Sequence, residues 1–298
     1  MKLSQAQIDK FHEDGYLQLD DVLAPMDINP VIWEFEGIID RRARELYAKG
    51  RITNLHEREP FDRRVACLAT ESDLIAGELS PTQTRGSAMF YLMRNPTILD
   101  ILESLIGPEI LCHPTHVVRP RMRDNFGTTE RWRPTDQVPW HQDAGVLRPE
   151  ADNSLLITVW IPLSEANEEN GCLMVIPGSH KYGVRRHQAT NTYQIPAEEL
   201  PPGEPKMLPI KPGGLILFNN LVCHSSLPHA SDRVRWSIDL RYQDPSKPTG
   251  HPYFSGFIVR SRKQPERELR YPEWVSLWEK QLIHSAPWPP IPRWPGSS

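Results

Sequence analysis

Apolar residues recur along this chain at two periods, and the change between them divides it. Over the first hundred residues the spacing is helical. Ser4 is placed to cap a first helix whose apolar positions, Ile8 and Phe11, lie three apart, and Gly15 ends it ahead of an extended Tyr16-Leu-Gln-Leu. From Pro30 to Gly50 a stripe of Ile32, Phe35, Ile39 and Leu46 opposes Arg41, Arg42, Arg44 and Lys49, which predicts an amphipathic helix with its charges in solvent. Asn95 to Gly107 is the clearest helix, opened by Pro96 and closed by Gly107, with Ile98, Ile101, Leu102 and Leu105 turned towards a sheet. The stretch from Thr70 to Met93 fits neither period and is expected to cross the mouth of a site.

From Glu109 onward short apolar runs are bounded by Pro and Gly: Ile110 to Val118, Leu155 to Leu163, Cys172 to Ile176, Leu215 to Phe218 and Val234 to Tyr242. Several short strands with frequent turn signals predict a sandwich or barrel, and thirty prolines suit a loop-rich β protein. The last run alternates cleanly, with Val234, Trp236, Ile238, Leu240 and Tyr242 on one face and Arg233, Arg235, Ser237, Asp239 and Arg241 on the other. On a surface strand the polar face is solvated, which suits Arg233 and Arg241; on a strand lining a small barrel it points at a ligand. No repeat of solenoid period is visible. The expectation is a mainly β fold with flanking α-helices, a double-stranded β-helix (jelly roll, cupin-like) forming one domain over residues 1–298. Within it, 1–108 is a mostly helical part packed on the core, 109–245 the jelly roll, and 246–298 a C-terminal extension with a Pro/Trp-rich tail.

With 39% apolar and 24% charged residues, the 298-residue chain can bury a substantial core. A formal net charge of -4 gives no sign of a nucleic-acid or polybasic membrane partner. Cys67, Cys112, Cys172 and Cys223 lack metal-finger or CxxC spacing and read as reduced cysteines. The opening Met-Lys-Leu-Ser-Gln-Ala-Gln-Ile has no apolar run of signal or membrane type, so a cytoplasmic location is expected. The tail Ala286 to Pro295 cannot be helical; exposed Trp288 and Trp294 on it favour docking, and a homodimer through the tail is one form this could take.

Candidate chemistry centres on Val138-Pro-Trp-His-Gln-Asp-Ala-Gly145. His141 and Asp143, two residues apart, project to the same side of an extended segment. One imidazole, one carboxylate and a further His from a distant strand make a facial triad for non-haem Fe(II). His-x-Asp alone is a weak signal. It gains weight from Leu221 to Tyr242, which supplies His224 and then a strand carrying arginines.

Taken together, Phe11-His-Glu-Asp-Gly-Tyr-Leu17, the His141/Asp143 pair, Trp160, Asn170-Gly-Cys-Leu-Met-Val-Ile-Pro-Gly-Ser-His180, and His224 followed by Arg235 resemble the phytanoyl-CoA dioxygenase-like branch of the Fe(II)/2-oxoglutarate oxygenases, in that family's order and over most of the chain. The resemblance implies His141, Asp143 and His224 as metal ligands, with Fe(II), 2-oxoglutarate as co-substrate, and O2. The distal carboxylate of 2-oxoglutarate calls for a guanidinium fork. Strand parity cannot separate Arg233 from Arg235; the family spacing selects Arg235. It also implies co-substrate contacts from Ser226, which shares a face with His224 if the strand continues, from Trp160, and from Thr115 on Pro114 to Pro120. No equivalent of the lysine found upstream of that strand in the family's best-known member is present. His113 and His116 read as packed or solvent histidines and His180 as structural or exposed, none of them as ligands.

The implied activity is hydroxylation of an unactivated C–H of a small molecule, such as a secondary metabolite, amino-acid derivative or acyl compound, with release of succinate and CO2. Asp143 fits this, since related halogenases have a small residue there. Desaturation, cyclisation or another rearrangement on the same iron, and a non-catalytic ligand-binding jelly roll, are the rival readings. Arg119 to Arg123 and Arg131 to Arg133 read as a solvated arginine-rich loop, and Lys181 to Pro205 has the length of a lid.

Overall fold

The computed structural model describes residues 1–75, 83–123, 137–189, 193–251, 253–284 and 293–294. Its N-terminal elements follow from local signals. α1 (Gln5–Asp14) begins at Ser4, whose hydroxyl accepts the Gln7 amide at 3.3 Å while the Gln7 side chain accepts the Ser4 amide at 2.9 Å. It ends at Gly15, where φ is 77°, a left-handed conformation suited to glycine, and β1 (Tyr16–Leu19) follows.

α2 (Pro25–Ala48) starts five residues before the predicted Pro30. Two prolines compete for the first helical position. Pro25 takes it because Asp27 Oδ2 accepts the Ala24 amide at 2.8 Å, and Pro30 is carried inside the helix early enough that the bond it forgoes lies near the N-terminus. α3 (Phe61–Glu71) lies mostly ahead of the Thr70 to Met93 stretch, in sequence for which no element is predicted, α4 (Ser87–Met93) lies within that stretch, and α5 (Pro96–Ile106) lies where it is expected. Of the stretch expected to cross a site mouth, residues 76–82 lie outside the described residues.

The β strands are β2 (Glu109–Cys112), β3 (Val117–Arg121), β4 (Leu156–Pro162), β5 (Leu173–Val175), β6 (Gln188–Ala189), β7 (Tyr193–Gln194), β8 (Lys206–Leu208), β9 (Leu215–Asn219), β10 (His224–Ser226), β11 (Arg235–Gln243) and β12 (Phe257–Ser261). A seven-stranded sheet runs β1-β9-β4-β11-β2-β12, with β3 pairing the same side of β11 as β2. A three-stranded sheet, β10-β5-β8, lies apart from it, and β6-β7 form a small hairpin within the stretch read as a lid. α6 (Tyr271–His284) follows β12, so the stretch expected as an extension holds a helix and a strand that the sequence reading does not predict.

Alternation along the large sheet decides what each face meets. Ile157, Val159 and Ile161 of β4, Leu217 of β9, and Trp236, Ile238, Leu240 and Tyr242 of β11 share one core with helical residues including Val31, Phe35, Phe90, Ile101 and Trp274. The other face sends Tyr16, Trp160, Ile216 and Phe218 against Leu173, Val175 and Leu208 of the small sheet. This is the two-sheet jelly roll with flanking helices that the patterning predicted, although the helical share is larger than "mainly β" suggests. All nine residues of β11 are buried. Its polar side therefore looks into the space between the sheets, and the solvated alternative for Arg241 does not hold. Among the described residues, no helix is long and apolar enough to cross a membrane.

Candidate metal centre

His141 and Asp143 reach one point because Gln142 between them is extended (φ -120°, ψ 141°), after which the chain winds into a short 3-10 turn over Asp143–Val146. The segment is thus not a continuous strand. His141 instead forms an isolated antiparallel bridge with His224 at the start of β10, with N–H···O bonds of 3.0 Å in each direction. The two imidazole centroids lie 4.2 Å apart, and one ligand atom from each of His141, Asp143 and His224 falls within 4.8 Å of the others.

Tautomers follow from the hydrogen bonds. Nδ1 of His141 donates to the Pro139 carbonyl at 2.9 Å, and Nδ1 of His224 donates to the Val222 carbonyl at 3.1 Å. Each ring thereby keeps an Nε2 lone pair for a cation, the orientation metal-bound histidines commonly have. Burial, then the neighbouring His224, holds the His141 pKa well below the ordinary value, so the ring stays neutral. His224 stacks on Phe218 at 4.8 Å with rings 9° apart, which fixes its plane.

The Asp143 carboxylate is buried and fully engaged. Oδ1 accepts from Arg241 Nη2 and Oδ2 from Thr158 Oγ1, both at 2.5 Å. Burial, the largest single influence, would raise its pKa; the Arg241 guanidinium, the two histidines and the Thr158 hydroxyl together outweigh it and hold the carboxyl below the usual carboxylate range. Arg241 and Thr158 were missed in the sequence. Their signal was parity: Arg241 shares the polar face of Arg235, and Thr158 lies two residues before Trp160.

Arg235 lines the same cavity as the three ligands and Trp160. Its Nη1 donates to Ser237 Oγ at 2.9 Å and its guanidinium sits 5.3 Å from the Trp160 ring, but Nε and Nη2 are buried without a partner. Desolvation, then repulsion from Arg121, pushes its pKa down to about 9. Arg233 precedes the strand, is half-exposed, and pairs with Asp62 at 3.0 Å. Of the two arginines that parity leaves open, Arg235 is the one that lines this cavity.

Two other predicted positions lie elsewhere. The Ser226 hydroxyl accepts the Val138 amide at 3.0 Å, and Ser226 is not among the cavity-lining residues. Thr115 lies in the turn between β2 and β3, its amide on His113 Nδ1 at 3.1 Å, because the strand starts only at Val117. The residue β3 does send into the cavity is Arg119, which pairs with Asp239 at 3.0 Å, so Arg119 and the buried Arg121 are not loop residues in solvent. Arg131 to Arg133 lie outside the described residues. His113 and His116 are buried and do not join the cluster of His141, Asp143 and His224, and His180 Nε2 bonds the His12 carbonyl at 3.0 Å.

Known proteins place this geometry. The chain is 30% identical over 171 residues to 1-deoxypentalenic acid 11-beta-hydroxylase of Streptomyces exfoliatus, a match covering 53% of this chain and only 58% of that relative's length. It is 23% identical over 247 residues to peroxisomal phytanoyl-CoA dioxygenase of Rattus norvegicus, covering 80% of this chain and 68% of that one. Its fold resembles that of the non-heme monooxygenase ThoJ in the apo form, with a TM-score of 0.63 at 18% identity over 93% of this chain and 96% of the other. The profile described as phytanoyl-CoA dioxygenase (PhyH) matches residues 11–237, which span β1 to β11 and every ligand candidate, and the chain belongs to that family.

Proposed function

We propose that the protein is an Fe(II)/2-oxoglutarate-dependent dioxygenase that hydroxylates an unactivated C–H of a small molecule, releasing succinate and CO2. One observation carries this reading. Two Nε2 lone pairs and a carboxylate converge within 4.8 Å in a cavity that also holds a buried guanidinium with two unpartnered nitrogens. A non-catalytic jelly roll has no use for that combination, since a buried unpaired cation is costly.

The donor set fits the group. The imidazoles of His141 and His224, each with Nδ1 on a backbone carbonyl and Nε2 turned to the site, and ionised Asp143 suit a divalent iron and leave open positions on one side. When bound, iron and 2-oxoglutarate would together activate O2, the oxidant, one oxygen atom going to the C–H bond and the other to the succinate formed as 2-oxoglutarate loses CO2. The chain's own part is to place them. Arg241 and Thr158 hold the Asp143 carboxylate in its ionised form and fix its rotamer. Arg235 offers Nε and Nη2 to the distal carboxylate of the diacid, and Trp160 covers the guanidinium.

Similarity to a hydroxylase of 1-deoxypentalenic acid supports a small-molecule substrate. A cytoplasmic location is part of the reading, supported by four free thiols. The tail-mediated homodimer loses one motive, because Trp294 is seated on its own chain through a 2.8 Å bond to Gly145. The test is succinate formation from 2-oxoglutarate by anaerobically reconstituted Fe(II) protein on admission of O2, with Asp143→Ala as control, followed by a metabolite screen for a 16-dalton gain. Equal succinate from both proteins would end the proposal.

A further inference from the structure

The turn that carries Asp143 is short and its own bonds are few. Over Asp143–Val146 the Gly145 amide reaches the Gln142 carbonyl at 2.9 Å and the Leu147 amide reaches the Ala144 carbonyl at 3.2 Å. Carbonyls at the end of so short a helix look for partners elsewhere. Here they find them at the far end of the chain. Arg293 Nη1 donates to the Ala144 carbonyl at 3.1 Å and the Leu147 carbonyl at 2.8 Å, and Trp294 Nε1 donates to the Gly145 carbonyl at 2.8 Å. Three backbone acceptors within five residues of a metal-ligand candidate are thus taken by two consecutive side chains about 150 residues away.

The seat for those side chains is built, not incidental. Arg293 is buried and ion-paired to Asp152, with Nη2 to Oδ2 at 2.8 Å, and its guanidinium lies 5.0 Å from the Trp294 ring. The Trp294 ring packs on His187 at 5.2 Å. His187 in turn accepts the Gln142 amide on Nε2 at 3.1 Å and donates Nδ1 to the Arg185 carbonyl at 2.9 Å. Gly145 completes the fit, since a Cβ there would lie 2.4 Å from His187 Nε2. From Gln142 to Leu147, the backbone is therefore clamped between His187, Trp294 and Arg293.

We propose that Arg293 and Trp294 are positioning residues, a C-terminal latch that fixes the 3-10 turn and so presents the Asp143 carboxylate to the metal. Neither side chain is a ligand; they act through the backbone of residues 144–147. The metal half of this inference rests on the proposed function, whereas the clamping of the turn does not.

The test separates the two. Hydrogen exchange at the Ala144, Gly145 and Leu147 amides is followed in the metal-free full-length protein, and Co(II) affinity is measured by titration, for wild type, Arg293→Ala, Trp294→Phe and Arg293→Lys. The expected result is at least tenfold faster exchange at these amides in Arg293→Ala with the β4 and β11 amides unchanged. Co(II) binding should be weaker by about 10- to 100-fold, as for other groups that orient a ligand without touching the metal. Trp294→Phe, which keeps an aromatic ring but loses Nε1 and part of the surface packed on His187, is expected to show a smaller loss, and Arg293→Lys a partial recovery. Unchanged turn exchange in Arg293→Ala overturns the latch, and so does faster exchange with undiminished Co(II) affinity. A wild-type protein that binds no Co(II) overturns the metal role and the proposed function together, while the exchange measurement still decides whether the turn is clamped.

Discussion

Arg235 makes opposite demands on the empty and the loaded protein, and Arg235→Met should expose both. In the metal-free molecule the guanidinium is buried with Nε and Nη2 unpartnered, and its pKa falls from the ordinary 12.5 to about 9. That fall corresponds to roughly 5 kcal/mol of disfavoured charging, an upper limit on what removing the charge returns. Methionine keeps much of the volume but forfeits the Ser237 hydrogen bond, about 1 kcal/mol, and the stacking on Trp160, about 0.5–2 kcal/mol. The balance is a gain of about 2 kcal/mol, and at about 2–4 °C per kcal/mol the metal-free variant should melt several degrees higher than wild type.

Loaded protein should behave the other way. With Mn(II) present and 2-oxoglutarate at a hundred times its Kd, wild type gains about 2.7 kcal/mol from binding. Arg235→Met, lacking the fork for the distal carboxylate, should gain almost none over Mn(II) alone. Differential scanning fluorimetry of both proteins, with and without the diacid, reads the two signs in one experiment. A variant that melts lower when metal-free, or that the diacid protects as well as wild type, would refute the assignment of this guanidinium as a costly group kept for a ligand.

Arg241→Met breaks a buried ion pair and strands the Asp143 carboxylate; a loss of about 3–5 kcal/mol in urea unfolding is expected, with Co(II) uptake displaced to higher pH as Asp143 becomes harder to ionise. Trp160→Leu removes the ring beside Arg235 and should raise the KM for 2-oxoglutarate by roughly 2- to 30-fold, the equivalent of about 0.5–2 kcal/mol, with kcat less affected. Burial depresses His113 to about 3 and His116, His187 and His251 to about 4, so between pH 6.5 and 4 the unfolded chain binds more protons than the folded one and stability falls as pH falls, by up to about 1.4 kcal/mol per pH unit for each. Urea midpoints at pH 7, 6 and 5 measure the slope; a flat profile, or one that His116→Phe leaves equally steep, would contradict it.

Much of this was legible in residue order, and the failures share a cause. α1, its Ser4 cap and Gly15, the α5 boundaries and the alternation of β11 all follow from local patterns, whereas the direction its polar face takes comes from the structure. His141 and Asp143 come together through one extended residue, which a sequence displays directly. Arg241 was harder because its task depends on a carboxylate 98 residues away, reached only once the second sheet closes over β11. Thr115 went astray because carrying a position onto a strand assumes where the strand begins, and the turn runs on to Val117. Ser226 has the right parity and the wrong partner, since the Val138 amide takes its hydroxyl. α6 carried a readable signal, Trp274 and Trp278 four apart and both buried, which the Pro/Trp-rich composition beyond it obscured.

The dependence of the site on register goes further than any single residue. β11 pairs β4 with Asp239 opposite Trp160 and Arg241 opposite Thr158, and pairs β3 with Arg235 opposite Arg121 and Ser237 opposite Arg119. A slip of one residue would turn Arg235, Asp239 and Arg241 towards the helices and bring Trp236 and Ile238 into the cavity. What forbids it is the apolar face: Trp236 stacks on Phe61 at 4.5 Å and bonds the Phe61 carbonyl through Nε1 at 3.1 Å, and Tyr242 bonds the Met93 carbonyl at 2.9 Å. Those contacts involve α3 and α4, neither of which is predicted from the sequence. The groups offered to the metal and the diacid are therefore held in place from the opposite side of the sheet, so damage to Trp236 should reach the cavity through the strand it anchors.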